Sequence, residues 1–176
     1  MKANKTSSSW PADIYRTFKR VGIRQVAYVP DAGHTQLLIS CHSDKEIRAV
    51  SLTTEEEGVA MLAGTWLGGE RGALLLQSSG VGNCINLLSV IQECRFPLLM
   101  LVTMRGEWGE FNPWQLPMGQ STARILDDAG VVVQHVDDAA RVGETVFAAA
   151  QMAFSAYRAV AVLIGQRVVG FKDWSK

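Results

Sequence analysis

The chain alternates between short, continuously apolar runs and stretches in which apolar residues recur every three or four positions. The continuous runs predict six β-strands, at residues 25–30, 47–52, 72–77, 97–103, 131–136 and 159–164. The helical spacing predicts helices over 10–21, 55–67, 82–93, 121–129 and 138–157, and another that carries Leu37, Leu38 and Cys41. Strands that alternate with helices indicate an α/β fold, a three-layer α/β/α sandwich around a six-stranded parallel sheet.

Four segments follow predicted strands directly, at residues 30–34, 53–55, 78–80 and 105–107. The carboxyl ends of parallel strands meet at one edge of a sheet, and open parallel sheets bind their ligands there. The last segment continues to residue 120 and contains two prolines and two tryptophans. Long loops in compact domains are commonly functional or interfacial. The sequence therefore predicts a binding site at this edge.

The charge balance and the cysteines narrow the class of protein. Basic and acidic residues each number 17, so the formal net charge is zero. No basic stripe indicates nucleic acid, and no apolar run is long enough for a membrane span or a signal peptide. The three cysteines lack CxxC spacing and are typical of reduced thiols. We expect a cytoplasmic protein that contacts neither nucleic acid nor membrane.

The length of 176 residues indicates one domain. We expect this domain over residues 10–170, with a flexible N-terminus over 1–9 and a C-terminal tail over 171–176. A net charge of zero also favours association with other chains. The sequence thus leaves room for a subunit interface.

Two common kinds of site are poorly supported. Gly80 and Gly82 lie between a strand and a helix, as in a dinucleotide-binding loop, but the third glycine of that motif is replaced by Ile85. The histidines do not fall at metal-ligand spacing, and His135 lies inside an apolar strand. We therefore expect no metal ligands in this chain.

Four motifs carry a family resemblance. They are Glu-x-x-Gly-Val-Ala-x-x-Ala-Gly over 55–64, Gln-Ser-Ser-Gly-Val-Gly-Asn-x-x-Asn over 77–86, and Arg-Gly-Glu over 105–107, with Val-Pro-Asp over 29–31 on the first strand. In this order the chain resembles the pyrimidine-binding domain of thiamine diphosphate enzymes. It is most similar to the alpha subunit of sulfopyruvate decarboxylase and the matching half of phosphonopyruvate decarboxylase. The resemblance covers roughly residues 10–170.

The resemblance implies a role for Glu55. In the family a glutamate binds the aminopyrimidine of the cofactor, so that the cofactor's own nitrogen can remove the C2 proton of the thiazolium ring. The family spacing to Gly64 selects Glu55, with Glu56 as the second choice, while acids at a helix start also simply complement its macrodipole. By the same resemblance, the residues that line the pyrimidine pocket are Ser78, Gly80, Val81, Gly82 and Asn83.

The resemblance further implies a 2-oxo acid decarboxylase with a sulfopyruvate- or phosphonopyruvate-like substrate. Arg105, Asn112 and Gln115 are candidates for the acidic end of that substrate, since a guanidinium presents parallel donors to an acid group. Related decarboxylases place a polar active-site group at the position of Ala32. His34 is the substitute candidate for this catalytic group.

The chain contains no Gly-Asp-Gly motif, with which the family binds Mg2+ and the diphosphate. We therefore expect half of an active site, completed in a hetero-oligomer by a beta subunit that holds the Mg2+. Trp108, Phe111 and Trp114 suit such an interface, where aromatic residues are enriched. A non-catalytic or regulatory nucleotide-binding module of the same fold remains the alternative.

Overall fold

The computed structural model describes residues 9–171. Of the expected N-terminal segment 1–9 and tail 171–176, only Ser9 and Phe171 lie within this range. The strands are β1 Ile23–Tyr28, β2 Arg48–Ser51, β3 Arg71–Gln77, β4 Leu98–Thr103, β5 Val132–Val136 and β6 Ala159–Ile164. They form one sheet in the order β2-β1-β3-β4-β6-β5, and all neighbours pair in parallel.

Helices connect these strands. They are α1 Trp10–Val21, α2 Thr35–Ser43, α3 Glu55–Leu67, α4 Ser78–Cys84, α5 Leu88–Cys94, α6 Leu116–Asp128, α7 Val142–Ala156 and α8 Gln166–Val169. Short 3-10 turns precede α2, α6 and α7, at Ala32–His34, Pro113–Gln115 and Ala139–Arg141. None of the helices among the described residues is both long and apolar enough to cross a bilayer.

The helices cover both faces of the sheet, which confirms the predicted three-layer α/β/α sandwich. Side chains alternate between the two faces along a strand. Leu99 and Leu101 of β4 lie in the core beneath α1, α2 and α7. Leu98 and Met100 lie in the opposite core, beneath α3, α4, α5 and α6. This double burial explains why β4 is apolar throughout.

The start and end of α1 follow directly from the sequence. Pro11 occupies the first turn, where no backbone N–H is needed for the helix. Gly22 ends the helix in the left-handed region at φ 75°, a conformation that glycine adopts without steric cost. One face of α1 is buried against the sheet through Ile14 and Phe18, as its helical spacing predicts.

Three predicted helix boundaries were wrong. The single helix expected over 82–93 is divided into α4 and α5, because the Asn86 carbonyl accepts hydrogen bonds from the backbone N–H and the hydroxyl of Ser89. Helix α6 begins at Leu116 rather than at residue 121, with Pro117 tolerated in its first turn. The helix expected from residue 138 begins as a 3-10 turn and becomes α-helical at Val142.

Candidate cofactor and substrate site

Glu55 opens α3 at the carboxyl edge of the sheet, and its side chain is buried. Asn83 donates a hydrogen bond from Nδ2 to Glu55 Oε2 at 2.7 Å. The other oxygen, Oε1, accepts no hydrogen bond from the described residues and lies against Gly80. A Cβ at Gly80 would come within 2.2 Å of Oε1, so only glycine allows the carboxylate to lie there. The structure thus brings Glu55, Gly80 and Asn83 together.

The two neighbouring glutamates have different surroundings. Glu56 is exposed, and Glu57 is exposed and accepts a hydrogen bond from the Thr53 backbone N–H at 2.8 Å. An acid at the third helical position commonly satisfies the backbone at a helix start in this way. Burial therefore favours Glu55 over Glu56 as the residue that faces a ligand.

The other predicted pocket residues lie on α4, which begins directly after β3 at Ser78, whereas the sequence predicted a helix only from residue 82. Ser78 is fully buried, and its Oγ accepts a hydrogen bond from the Arg105 backbone N–H at 3.1 Å. The Val81 side chain lies in the apolar core. Gly82 is exposed beside Met118, whose sulfur would lie 3.7 Å from a Cβ at this position. Of these residues, Ser78 joins the site to the loop after β4.

The predicted substrate residue Arg105 is held by a carboxylate that sequence reasoning missed. Glu110 accepts hydrogen bonds from Arg105 Nε at 2.7 Å and Nη2 at 2.6 Å, and its side chain is 1% exposed. It also accepts from the backbone N–H groups of Gly106 and Asn112 and from Gln166 Nε2. The hydrogen bond from Arg105 lowers the pKa of Glu110 to about 2, and the same pair raises the pKa of Arg105. Glu110 therefore holds the loop after β4 in its conformation through these hydrogen bonds.

The other two predicted substrate residues, Asn112 and Gln115, have different surroundings. Asn112 Oδ1 accepts a hydrogen bond from the Trp114 backbone N–H at 3.2 Å and so begins the 3-10 turn before α6. Gln115 Oε1 is buried and has no hydrogen-bond partner among the described residues. A buried amide oxygen without a partner is uncommon and is available to a ligand or to ordered water.

His34 does not lie at the surface of the site. Its ring is 1% exposed, and Nε2 lies 3.1 Å from the Leu101 carbonyl and 3.3 Å from that of Leu76, so it donates to the sheet. Burial lowers the pKa of His34, which favours the neutral ring. The histidine thus attaches the segment after β1 to β3 and β4.

Asp31, rather than His34, faces the candidate site. Its carboxylate accepts hydrogen bonds from Gln77 Nε2 at 3.0 Å and from Thr103 Oγ1 at 2.6 Å. These contacts join the carboxyl ends of β1, β3 and β4. The Val-Pro-Asp motif contained this residue, but sequence reasoning gave it no role of its own.

A cavity of about 230 Å³ opens between these groups. The residues that line it include Asp31, Thr103, Arg105, Phe111, Gln166 and Phe171. The lining thus combines carboxylate, hydroxyl, guanidinium and amide groups with two aromatic rings. This mixture suits a small polar ligand with a carbon skeleton.

The far side of the same loop is attached to the edge strand β5. His135 Nε2 donates to Glu107 Oε1 at 2.9 Å, and Nδ1 lies 3.4 Å from Asp137 Oδ2. The hydrogen bond to Glu107 raises the pKa of His135. Within residues 9–171, these three side chains form a group that is close enough to hold a cation, but their mutual ion pairs already account for their proximity.

Comparison with known proteins places the chain in a family. No family model matches it. The sulfopyruvate decarboxylase subunit alpha of Methanothermobacter thermautotrophicus is 32% identical over 152 residues, 86% of this chain and 92% of the relative. The same subunit of Methanococcus maripaludis is 36% identical over 115 residues, 65% of this chain and 69% of the relative.

Two further proteins that match this chain are considerably longer than it. Phosphonopyruvate decarboxylase of Streptomyces viridochromogenes is 35% identical over 140 residues, 78% of this chain but only 35% of the relative. A solved structure of 2-oxoglutarate:ferredoxin oxidoreductase from Magnetococcus marinus matches with a TM-score of 0.76. It is 14% identical and covers 92% of this chain and 29% of its own, so it supports the fold alone.

The named relatives define a subunit of a carboxy-lyase. More particularly, the chain belongs to the family of sulfopyruvate decarboxylase alpha subunits. The name that these relatives share, subunit alpha, implies an enzyme of more than one subunit.

Proposed function

We propose that this chain is the alpha subunit of a two-component, thiamine diphosphate-dependent 2-oxo acid decarboxylase. The observation that carries this proposal is the Glu55 carboxylate, which is buried, oriented by Asn83 and left with Oε1 unpartnered over Gly80. These residues fit the cofactor, because a protonated ring nitrogen would complete the hydrogen bonding of Oε1. When bound, thiamine diphosphate supplies the nucleophilic carbon and accepts the electrons released by decarboxylation.

The protein's own contribution at this point is to position a proton. Asn83 fixes the rotation of the Glu55 carboxylate through Oε2, so that Oε1 can share a proton with the aminopyrimidine. Gly80 provides the space that this orientation requires. The arrangement is general acid–base catalysis by a carboxylate that is held in position before the ligand binds.

The substrate is proposed to enter the cavity between Asp31 and Arg105. Arg105 would bind the acidic end of a 2-oxo acid, with its guanidinium held in orientation by Glu110. Asn112 and Gln115 do not line this cavity, so their contact with the substrate stays a prediction. The buried ring of His34 supports this segment, so we assign the polar group that faces the substrate to Asp31.

The names of the relatives make sulfopyruvate and phosphonopyruvate the first substrates to assay. Both carry a second acid group beyond the 2-oxo acid. A guanidinium that donates in parallel to such groups suits either.

A beta subunit is proposed to supply Mg2+ and the diphosphate site. The loop 105–116 presents a patch of exposed apolar side chains, which we call the aromatic patch: Trp108, Phe111, Trp114 and Leu116. The Trp114 side chain is 82% exposed, which is unusual for the largest apolar residue. Exposed patches of this kind mark interaction surfaces, so the patch supports a hetero-oligomer.

The test is to co-purify the chain with the product of its neighbouring gene and to measure CO2 release from a panel of 2-oxo acids. The assay contains thiamine diphosphate and Mg2+. We expect release that needs both chains and falls at least about a hundredfold in Glu55→Gln. The matched control is Glu56→Gln, which removes the same charge from the exposed neighbour and should retain activity.

Two results would contradict the proposal in different ways. A pair that bound the cofactor but released CO2 from no acid would favour the non-catalytic module of the same fold. A pair that bound no thiamine diphosphate would remove the cofactor assignment itself.

A further inference from the structure

A second cavity, of about 600 Å³, lies at the opposite edge of the sheet from Glu55. It opens where α5, α6 and α7 end and where β4 and β6 begin, since the Leu98 backbone N–H donates to the Arg158 carbonyl at this point. Residues that line it are Leu88, Ile91, Gln92, Arg95, Tyr157 and Arg158. The volume lies within the usual range for small-molecule sites. Neither the proposed catalytic group nor the aromatic patch contributes to it.

The backbone conformation at this cavity is unusual. Arg95 and Tyr157 have φ of 56° and 54°, and they are the non-glycine residues with positive φ among the described residues. Each caps the C-terminus of a helix, α5 and α7, where glycine is the residue of lowest conformational cost. The ring of Tyr157 packs against Trp66, which explains why this position is not a glycine. No such contact accounts for Arg95.

The charged groups of the cavity are two arginines without partners. The side chains of Arg95 and Arg158 make no ion pair or hydrogen bond with the described residues. Both side chains are exposed, as is that of Arg124, which likewise has no ion pair with the described residues; Arg95 and Arg158 differ from it in that they line the same cavity. The helix ends carry partial negative charges that reduce the positive potential but do not cancel two full charges on flexible side chains. The remaining lining is largely apolar.

We propose that this cavity binds a small organic anion with an apolar body, a phosphate, sulfonate or carboxylate on an aliphatic or aromatic group. The two guanidiniums bind the acid group in parallel, with the Gln92 amide as a further donor. Leu88 and Ile91 cover the apolar body. The site goes beyond the proposed function and does not depend on it, because it lies at the other edge of the sheet.

The test uses isothermal titration calorimetry of the full chain with phenyl phosphate and, separately, with inorganic phosphate. We expect saturable binding of phenyl phosphate and weaker binding of inorganic phosphate, which lacks the apolar body. Arg95→Met and Arg158→Met should each weaken binding about tenfold or more, because each removes charge-assisted hydrogen bonds. The matched control is Arg124→Met, an exposed arginine of α6 outside the cavity, which should bind as the native chain does.

A further variant separates ligand binding from structural support. Arg95→Gly relieves the left-handed backbone, so it should raise the melting temperature while it weakens binding as much as Arg95→Met does. If Arg95 served only to cap α5, Arg95→Gly would bind phenyl phosphate as tightly as the native chain. The proposal is overturned if phenyl phosphate shows no saturable binding, if inorganic phosphate binds as tightly, or if Arg124→Met weakens binding as much as the cavity variants.

Discussion

At the scale of single residues, the contact between Glu55 and Gly80 defines the candidate site. The glycine has space for the carboxylate only because it lacks a Cβ, and Asn83 then fixes the second oxygen. A buried acid with one oxygen held and one unpartnered has its orientation set before a ligand arrives. Such preorganisation is how proteins make a hydrogen bond to a ligand effective.

We predict that Gly80→Ala displaces the Glu55 carboxylate, because the new methyl group would lie 2.2 Å from Oε1. The expected results are a loss of cofactor binding and a destabilisation of about 1–3 kcal/mol from overpacking. Urea unfolding of the chain and cofactor titration of the complex measure the two effects.

Gly64→Ala is the control for this substitution. A Cβ at Gly64, also helical, meets no atom within 4 Å. It should leave cofactor binding intact and stabilise α3 by up to about 1 kcal/mol. Equal cofactor binding in the native chain and Gly80→Ala would contradict the proposed geometry.

Residue-scale prediction from the sequence was uneven for a physical reason. The family resemblance singled out Glu55, Gly80 and Asn83, because its motifs are short contiguous stretches of sequence that contain them. The motifs did not identify Glu110, because its contacts with the nearby Arg105 depend on how an irregular loop folds, and its contact with Gln166 spans 56 residues. Contacts of such separation depend on the packed fold, and no local pattern indicates them.

At the scale of elements, the loop after β4 is ordered by buried polar contacts rather than by regular structure. Glu110 binds one end through Arg105, and Gln166 of α8 accepts hydrogen bonds from the backbone N–H groups of Glu107 and Trp108. Gly119 of α6 permits close contact, since a Cβ there would lie 2.0 Å from the Arg105 carbonyl oxygen. The loop therefore presents its aromatic patch from a fixed base.

Removal of the Glu110 charge should release this loop. We expect Glu110→Gln to destabilise the chain by roughly 3 kcal/mol, because it leaves the partly buried Arg105 without its counter-charge. Glu144→Gln breaks an analogous pair with Arg141 in which both side chains are exposed, and should cost at most about 0.5 kcal/mol. Chemical unfolding of both variants gives the comparison, and equal losses would contradict the role of Glu110.

The link from this loop to β5 should depend on pH. The pKa of His135 is raised in the folded chain by its hydrogen bond to Glu107, and Asp137 faces the same ring. Its contribution to stability is therefore fully present below the ordinary value of 6.5 and is lost as pH rises through the folded value.

The difference in unfolding free energy between the native chain and His135→Asn measures this contribution. We expect the difference to be larger below pH 6.5 than well above the folded pKa. NMR titration of the imidazole locates the folded pKa independently. A difference that stayed constant with pH would contradict the link.

The ends of the helices were harder to predict from the sequence than the helices themselves. The apolar spacing located α3 well, but the division between α4 and α5 depends on the Asn86–Ser89 turn. Gly80 and Gly82 both lie within α4, and Gly80 packs against Glu55 of α3. Two glycines in five residues indicate a turn by propensity, and tertiary contact overrides that preference here.

At the scale of the whole molecule, the parallel sheet separates two regions. Its carboxyl edge gathers Glu55, Asp31 and the loop after β4, and its amino edge holds the cavity with Arg95 and Arg158. The strand order was not predicted, but the alternation of strands and helices was enough to predict the parallel sheet, and the candidate site at its carboxyl edge stays a prediction.

The most direct test of the account is the rate at which the C2 proton of thiamine diphosphate exchanges with deuterium in the complex of both subunits. If Glu55 activates the aminopyrimidine, exchange should be fast in the native complex. It should be slower by about a hundredfold or more in Glu55→Gln with the cofactor still bound. Glu56→Gln should exchange at the native rate. Equal exchange in the native and Glu55→Gln complexes would contradict the central claim.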